Sequence, residues 1–552
     1  MCIRDRRRRE LYSLSSSSRS ERDDDDDVFD DGFFVGSIGK GKRDDDSSAG
    51  RRRKRQKRLK SSTTSEKEQQ QQQQQHQQPA VGVVLPVRGA SGRTTDNWRT
   101  QLNTTYDGDV SFVFVVEKDT DEAKREAERL ALEVLRRDDD DEEEEKRVGR
   151  ARRRSARVVV SGSAEGCSQK IAQQLRGVEE LAAEDERKND ERGVGSASAE
   201  KYRRRSRRSR TNTKSPERNG RVKYVLFLDD DVMLYPSTIG SLVLAMEKDE
   251  KETGGNALLA TGYPLDFVGG GVDGGESSSS CFANYMTMVY HLVLLIPFSH
   301  GKYTKNVWGG CMLFRLDDFQ ENACKVKEAY ENGGYSDDLI VAAAANREKR
   351  SILCPGDALF PLPLDPKQTV GHFVNYFHRQ IFVNDTYFDR HMKCINHGML
   401  LAMFLSSLCL TCGTVSSAID VALWVRSLAT SSSQKSTTRT PTLAFAVFFA
   451  HFLAVTRAKK MYASCVSLCE RTADADAAAA AAASRGRQTP PDAGRVARAG
   501  FNRTNWFKVW LALCIVYAAA PILCAHVVLL SNDVTWGGIR YRKRRGKVSR
   551  VV

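Results

Sequence analysis

The chain has 552 residues and a formal net charge of +14, with 40% apolar residues, a length that allows two to four domains. Its 13 cysteines show no paired zinc-type spacing, and the one C-x-x-C, Cys409 to Cys412, lies inside an apolar run; this argues against a disulfide framework and fits a reducing compartment. The basic excess sits in low-complexity runs without interleaved aromatics, so nucleic acid is not expected as a partner.

Residues 1–78 carry Asp23–Asp27, the run RRRKRQKR (Arg51–Arg58) and a glutamine tract from Gln69. Such a stretch buries too little apolar surface to fold and is expected to be disordered. No signal peptide or hydrophobic anchor is expected before Pro79. VGVVLPVRGASGRTTDNW (Val81–Trp98) then reads as a buried strand, a Pro/Gly-rich loop and a helix. VSFVFVVEKD (Val110–Asp119) is a second apolar strand, ending in Glu117, and RVVVSG (Arg157–Gly162) is a third. The helix after the third strand places Ile171, Leu175 and Val178 on one face. Two highly charged stretches, 119–155 and 184–220, read as disordered insertions in surface loops.

The fourth strand, in RVKYVLFLDDDVMLYPSTIG (Arg221–Gly240), is apolar without alternation, as expected for a strand covered on both faces. It ends in Asp229, Asp230 and Asp231, and Pro236 with Ser237 or Thr238 can start the next helix. Strands alternating with helices predict a mostly parallel α/β sheet, with ligands bound outside the strand carboxyl ends. Three adjacent carboxylates there are either a solvated acidic turn or the holder of a cation. Farther on, WGGCMLFRLDDF (Trp308–Phe319) brings two glycines that allow close backbone approach, and GGYSDDLIVAAAANREKR (Gly333–Arg350) sets Asp337 and Asp338 at the start of an alanine-rich helix. Those two acids are either caps favoured by the helix dipole or a general base that the dipole keeps ionised. FVNYFHRQIFVNDTYF (Phe373–Phe388) places Arg379 among aromatics.

Three apolar stretches follow, Gly398–Ile419, Pro441–Ala458 and Trp506–Leu530. The first and third are long enough to span a bilayer and the second is borderline. Basic clusters follow the second (Arg457, Lys459, Lys460) and the third (Arg540, Arg542, Lys543, Arg544, Arg545). The positive-inside rule puts both clusters in the cytosol, which three crossings cannot achieve if the preceding domain is cytosolic too. One stretch being re-entrant or interfacial would remove the conflict.

One chemistry uses all of these groups. A nucleotide diphosphate is a charged leaving group; carboxylates can hold a divalent cation against it, an arginine can stabilise the departing phosphates, and a separate carboxylate can take the proton of an acceptor hydroxyl. In this order the motifs LPVRGASGRTTDNWRTQL, VVVSGSAEGCSQKI, FLDDDVMLYPSTIGSL, ATGYPLDF, WGGCMLFRLDDF, YSDDLIVAA and NYFHRQIFV, with the tail TWGGIRYRKRRGKV, resemble the inverting glycosyltransferases of the GT-A fold. The resemblance is strongest to the plant and algal ceramide glucosyltransferase-like proteins of glycosyltransferase family 21, near family 2.

Composition gives disordered residues 1–78, and the resemblance implies a GT-A catalytic domain over 79–390. Hydropathy and composition give a membrane region over 391–531 with about three hydrophobic helices and a disordered loop near 470–500, then a basic tail over 532–552. The resemblance implies a multi-pass protein of the Golgi or endoplasmic reticulum, with its catalytic domain facing the cytosol. The implied reaction moves a hexose, glucose from UDP-glucose, to ceramide in the bilayer, with Mn2+ or Mg2+ as cofactor. A processive polysaccharide synthase of the same fold and a transferase to another membrane lipid are the alternatives. By the resemblance Glu117 and Asp230 contact the nucleotide sugar, and Asp229 and Asp231 form the DxD pair for nucleotide sugar and metal. Asp338 is the base with Asp337 beside it, and Arg379 is the arginine of the QxxRW motif. The chain departs from that motif: Tyr376 stands where Gln or Arg is usual, and Gln380 replaces Trp.

Overall fold

The structure is a computed structural model that describes residues 78–145, 153–191, 221–268, 281–299, 301–430, 442–482 and 493–551. It divides into two units, Met1–Gln78 and Pro79–Val552. The expected disordered segment up to residue 77, the segments 146–152 and 192–220 of the two expected insertions, and the part 483–492 of the disordered loop expected near 470–500 lie outside the described residues, whereas 470–482 and 493–500 of that loop are helical.

The second unit is built on one mixed sheet. Its first strands are β1 (Ala80–Pro86), β2 (Val110–Val116), β3 (Arg154–Val160) and β4 (Val222–Leu228). They are followed by β5 (Ala257–Thr261), β6 (Tyr263–Phe267), β7 (Tyr303–Thr304), β8 (Cys311–Arg315), β9 (Ser351–Leu353) and β10 (Leu359–Pro363). Eight of these form the order β3-β2-β1-β4-β8-β5-β9-β7, and β10 pairs with β6 alongside. Strands β3, β2, β1 and β4 are parallel, whereas β8 runs antiparallel to both β4 and β5. The apolar runs of β1 and β2 are buried at every position, which requires cover on both faces and explains their lack of alternation.

Connecting helices provide the cover: α1 (Gly92–Leu102), α2 (Glu122–Glu145), α3 (Gln169–Glu191), α4 (Thr238–Thr253), α5 (Phe282–Leu294), α6 (Asp337–Arg347) and α7 (Val370–Asn384). Helix α3 packs on β1 and β2. It does so closely because two positions lack a side chain: a Cβ added at Gly82 of β1 would strike Leu181, and one at Gly177 of α3 would strike Val84. Trp98 of α1 packs edge-on against Phe114 of β2, with ring centroids 5.6 Å apart.

Two expectations about the insertions are corrected, and the basic tail gains a structure. The stretch 119–155 is not a bare insertion: it contains α2, whose buried Ala123, Ala127, Leu130, Ala131 and Val134 recur at helical spacing. The dense charge on its outer face hid that period. The stretch 184–220 begins inside α3, where buried Asp185 accepts from the Val222 backbone amide at 3.2 Å. The basic tail is a three-stranded antiparallel sheet, β11 (Asp533–Trp536), β12 (Ile539–Arg544) and β13 (Lys547–Arg550), and its β12 alternates buried and exposed residues.

Between α7 and the tail lie α8 (Arg390–Thr430), α9 (Thr442–Ala482), α10 (Ala493–Arg503) and α11 (Trp506–Leu529). Among the described residues two segments are long and apolar enough to cross a membrane, Arg390–Ala429 and Trp506–Leu529. The shorter apolar stretch 442–458 opens α9, whose remainder mixes charged residues with buried Tyr462, Val466, Leu468 and Cys469.

The α3–β1 contact gives a decidable prediction. Alanine in a helix gains about 1 kcal/mol over glycine, but overpacking a filled core costs about 1–3 kcal/mol, and Val84 is β-branched and held on a strand. Gly177→Ala is therefore expected to destabilise. The same change made on Val84→Ala should be neutral or stabilising, as measured by denaturant unfolding in detergent.

Candidate active site

The acidic turn follows β4 directly. Because β8 is antiparallel to β4, with Leu228 paired to Cys311, the Trp308–Gly310 turn meets the carboxyl end of β4. The Asp229 amide donates to the Gly310 carbonyl at 3.1 Å. Fully buried Gln101 of α1 donates through Nε2 to the carbonyl oxygens of Asp229 and Val232, each at 2.8 Å. The turn backbone is thus anchored from both sides, leaving its side chains to the cleft.

Lys170 of α3 is the centre of the site. Its Nζ lies 2.6 Å from Asp229 Oδ1 and 2.9 Å from Asp337 Oδ2, and it donates to the Gly309 carbonyl at 3.1 Å. Gln174, one turn on, donates to Asp337 Oδ2 at 2.8 Å. A Cβ at Gly309 would sit 2.8 Å from Asp337 Oδ1 and 3.1 Å from Lys170 Nζ, so this close approach needs glycine. Burial alone would lower the Lys170 pKa, but Asp229 and Asp337 override it and hold the ammonium protonated.

One ammonium does not balance the five carboxylates of Asp229, Asp230, Asp231, Asp337 and Asp338. Burial pushes the Asp229 carboxyl up to about 7; Lys170 opposes the shift, while Asp231 and Asp337 add to it. Asp230 is raised by burial and then by Asp231 and Asp229. Asp231, open to solvent on one side but crowded by protein on the others, is raised by that partial desolvation, with Lys170 and Arg379 pulling the other way. The cluster therefore favours taking up protons or a cation.

The acidic pair divides in role. Asp337 is buried, 5% exposed, and both Lys170 and Gln174 engage it. Asp338 is half-buried; Ser336 Oγ donates to its Oδ1, as does the Leu339 amide at 2.8 Å. Its pKa is raised by burial and then by Asp337, so the helix start does not dominate as the sequence suggested. A carboxylate with a raised pKa is the better proton acceptor.

Glu117 lies at the end of β2, 4% exposed. Burial opposes its charge, but hydrogen bonds from Arg550 (2.8 Å) and Ser163 (2.9 Å), with Arg88 at 3.5 Å, hold its carboxyl below the usual value. Arg379 projects from α7 with its guanidinium 5.5 Å from the Tyr376 ring and 5.0 Å from the Trp536 ring. Trp536 of the tail thus brings an indole onto Arg379 from outside α7. Tyr376 is itself anchored: its hydroxyl lies 2.5 Å from His291 Nε2, and His291 Nδ1 lies 2.6 Å from buried Asp266. Sequence reasoning missed Lys170, Gln101, Gln174, Trp536 and Arg550. Lys170 stood in the quoted CSQKI motif with no charge pattern to single it out. The alternation of Ile539, Tyr541 and Lys543 after Gly537-Gly538 was a readable hairpin signal for the tail.

For a hard divalent cation, Asp231 offers a solvent-facing carboxylate and Asp229 a second, partly used by Lys170. Among the described residues no group of three or more His, Cys, Asp or Glu is placed to hold a metal. The donor set fits a cation that takes one or two carboxylates and completes its shell with substrate oxygens.

Removing one partner of a buried ion pair typically costs about 3–5 kcal/mol. Lys170→Met should lose about that much stability in chemical unfolding, and adding Asp337→Asn should recover part of it.

No protein-family model matches the chain, and no curated protein does. Among solved structures it is similar to the mannosyltransferase PcManGT from Pyrobaculum calidifontis in complex with GDP-Man and Mn2+, at 11% identity over 81% of this chain and 88% of that one, with a TM-score of 0.29. It is also similar to S. aureus TarS 1–349 in complex with UDP-GlcNAc, at 9% identity over 86% and 99% of the two chains, with a TM-score of 0.26. A second structure of TarS 1–349 aligns at 10% identity over 85% and 98%, with a TM-score of 0.28.

Proposed function

We propose that the chain is a membrane-bound, inverting GT-A glycosyltransferase that moves a hexose, glucose from UDP-glucose, to the hydroxyl of ceramide at the cytosolic face of the Golgi or endoplasmic reticulum. The observation that carries this reading is the Lys170 bridge. It ties the Asp229–Asp231 turn to the start of α6, so a carboxylate turn suited to a nucleotide sugar and a half-exposed base share one cleft.

In this reading Glu117 and Asp230 face the nucleotide sugar. Asp229 and Asp231 would hold Mn2+ or Mg2+, which would supply charge neutralisation of the leaving group. Lys170 and Arg379 add two fixed positive charges on the same side. The acceptor oxygen attacks the anomeric carbon, the bond to the diphosphate breaks with its electron pair, and the hydroxyl proton passes to Asp338. Attack opposite the leaving group inverts the configuration. Buried Asp337 positions Lys170 rather than taking the proton.

Membranes holding the protein, incubated with labelled UDP-sugars, should yield a labelled lipid in the organic extract. Label retained as polymer would instead mark a polysaccharide synthase, and a labelled lipid other than glucosylceramide another acceptor.

Two outcomes are expected of this reaction. Losing a general base costs about 10²–10⁴ in rate, so Asp338→Asn should fold and bind UDP yet transfer at a small fraction of the wild-type rate; near-normal turnover would remove Asp338 from that role. Chelation should abolish transfer, with Mn2+ or Mg2+ restoring it, and full activity after complete chelation would exclude the cation.

A further inference from the structure

The helices after the catalytic domain return to it at defined points. Helix α8 leaves from it: Met392 belongs to the main core cluster, Asn396 donates to the Thr386 carbonyl at 2.9 Å, and His397 lies 2.9 Å from Asp385. Helix α9 comes back to it: the Tyr462 hydroxyl donates to the Asp266 carbonyl at 2.6 Å, and Asp476 accepts from the Ser237 amide at 3.3 Å. Between these anchors the outer parts of α8 and α9 pack on each other. They expose Leu401, Leu405, Val415 and Ile419 on one and Phe445 and Phe448 on the other.

Helix α11 behaves differently. At its start the Asn505 amide lies 3.2 Å from the Tyr285 hydroxyl, and Lys508 lies 5.6 Å from the Tyr285 ring. Near its end the His526 ring is 5.8 Å from the ring of His378, and four residues past it β11 begins, carrying Trp536 to Arg379. Tyr285 and His378 belong to α5 and α7, which pack together. A 24-residue helix is about 36 Å long. Were α11 to run along the bilayer normal, one end would stand about 30 Å away, beyond the hydrocarbon. Both ends instead touch the same helix pair. A stripe of Val509, Ala512, Val516, Ala520, Cys524 and Val527 is buried along its whole length, while Phe507, Ile522 and Leu529 are exposed.

We propose that α8 and α9 carry the chain across the bilayer and back, while α11 completes no crossing: both its ends stay on the catalytic domain's side, and it packs against α5, α7 and the middle of α8, where Thr411 Oγ1 donates to the Tyr517 carbonyl at 3.3 Å. A helix apolar all round is suited to that place, with one side on protein and the other in lipid. Exposed Val293, Leu294, Ile296, Val370 and Val374 on and beside α5 and α7 extend the same apolar surface. The crossing number is then even, as the tail contacts require: Arg550 on Glu117 and Val548 on the Gly333 carbonyl demand that tail and catalytic domain share one side. Both basic clusters fall on that side, which satisfies the positive-inside rule that three crossings violate.

The test is protease accessibility of a short epitope in the full-length protein in sealed membrane vesicles, with detergent-opened vesicles as control. The epitope is placed in turn within 192–220, within 431–441, within 483–492 and after Val552. The 431–441 site should be of opposite accessibility to the other three. If the site after Val552 differs from 483–492, α11 crosses and the proposal falls. If 431–441 matches 483–492, the hairpin does not cross and the proposal falls equally. The readout needs no transfer, so it is separate from the fate of the glycosyltransferase reading.

Discussion

The contact on which the site depends is the ammonium of Lys170 between the carboxylates of Asp229 and Asp337. It joins three elements that are far apart in the chain: the turn after β4, the helix after β3, and the start of α6. A buried charge without a partner is costly, so each of the three groups is needed by the other two. The pair uses up Asp337 and part of Asp229, and in doing so it leaves Asp231 and Asp338 as the carboxylates with room to act. The difference in pairing and exposure between Asp337 and Asp338 follows from this one placement rather than from any chemical difference between two aspartates.

The second constraint is that the site is not contained in the stretch of sequence that forms the main sheet. Strands β11–β13 return after the long apolar helices and supply Arg550 to Glu117 and Trp536 to Arg379. The tail is held by more than charge. Lys543 is buried, pairs with Asp385 and lies 4.8 Å from the Phe382 ring, while Tyr335 packs edge-on against Tyr541 at 5.4 Å. Gly546 and Gly333 leave room for Tyr387 and for Lys547. A tail held this way constrains the long apolar helices between, because both ends of that stretch are tied to one body.

Much of the fold was legible because burial on both faces writes itself as uninterrupted apolar runs. The strands ending at Glu117 and Asp229, and the helix opening at Asp337, were placed by that signal. Helix α2 was not, although Ala123, Ala127, Leu130, Ala131 and Val134 keep strict helical spacing. Its acidic and basic outer face dominates the composition, and composition argued for disorder. The tail was described by its charge alone: Arg540, Arg542 and Arg544 are the outward members of an alternating strand, and counting charge ignores alternation.

What the sequence determined by itself was local: which runs are apolar enough to be covered on both faces, where acids sit at strand ends and helix starts, and which helices are long and apolar enough for a membrane. Those properties depend on neighbours in the chain, so they can be read along it. Tertiary structure alone decided which acids are paired and which are free, that Lys170 rather than a solvent ion stands between Asp229 and Asp337, and that an indole reaches Arg379 from over 150 residues away. It also decided that both ends of α11 meet one surface. Ion pairing and burial depend on distances of a few ångströms between groups remote in sequence, and no period or composition encodes those distances.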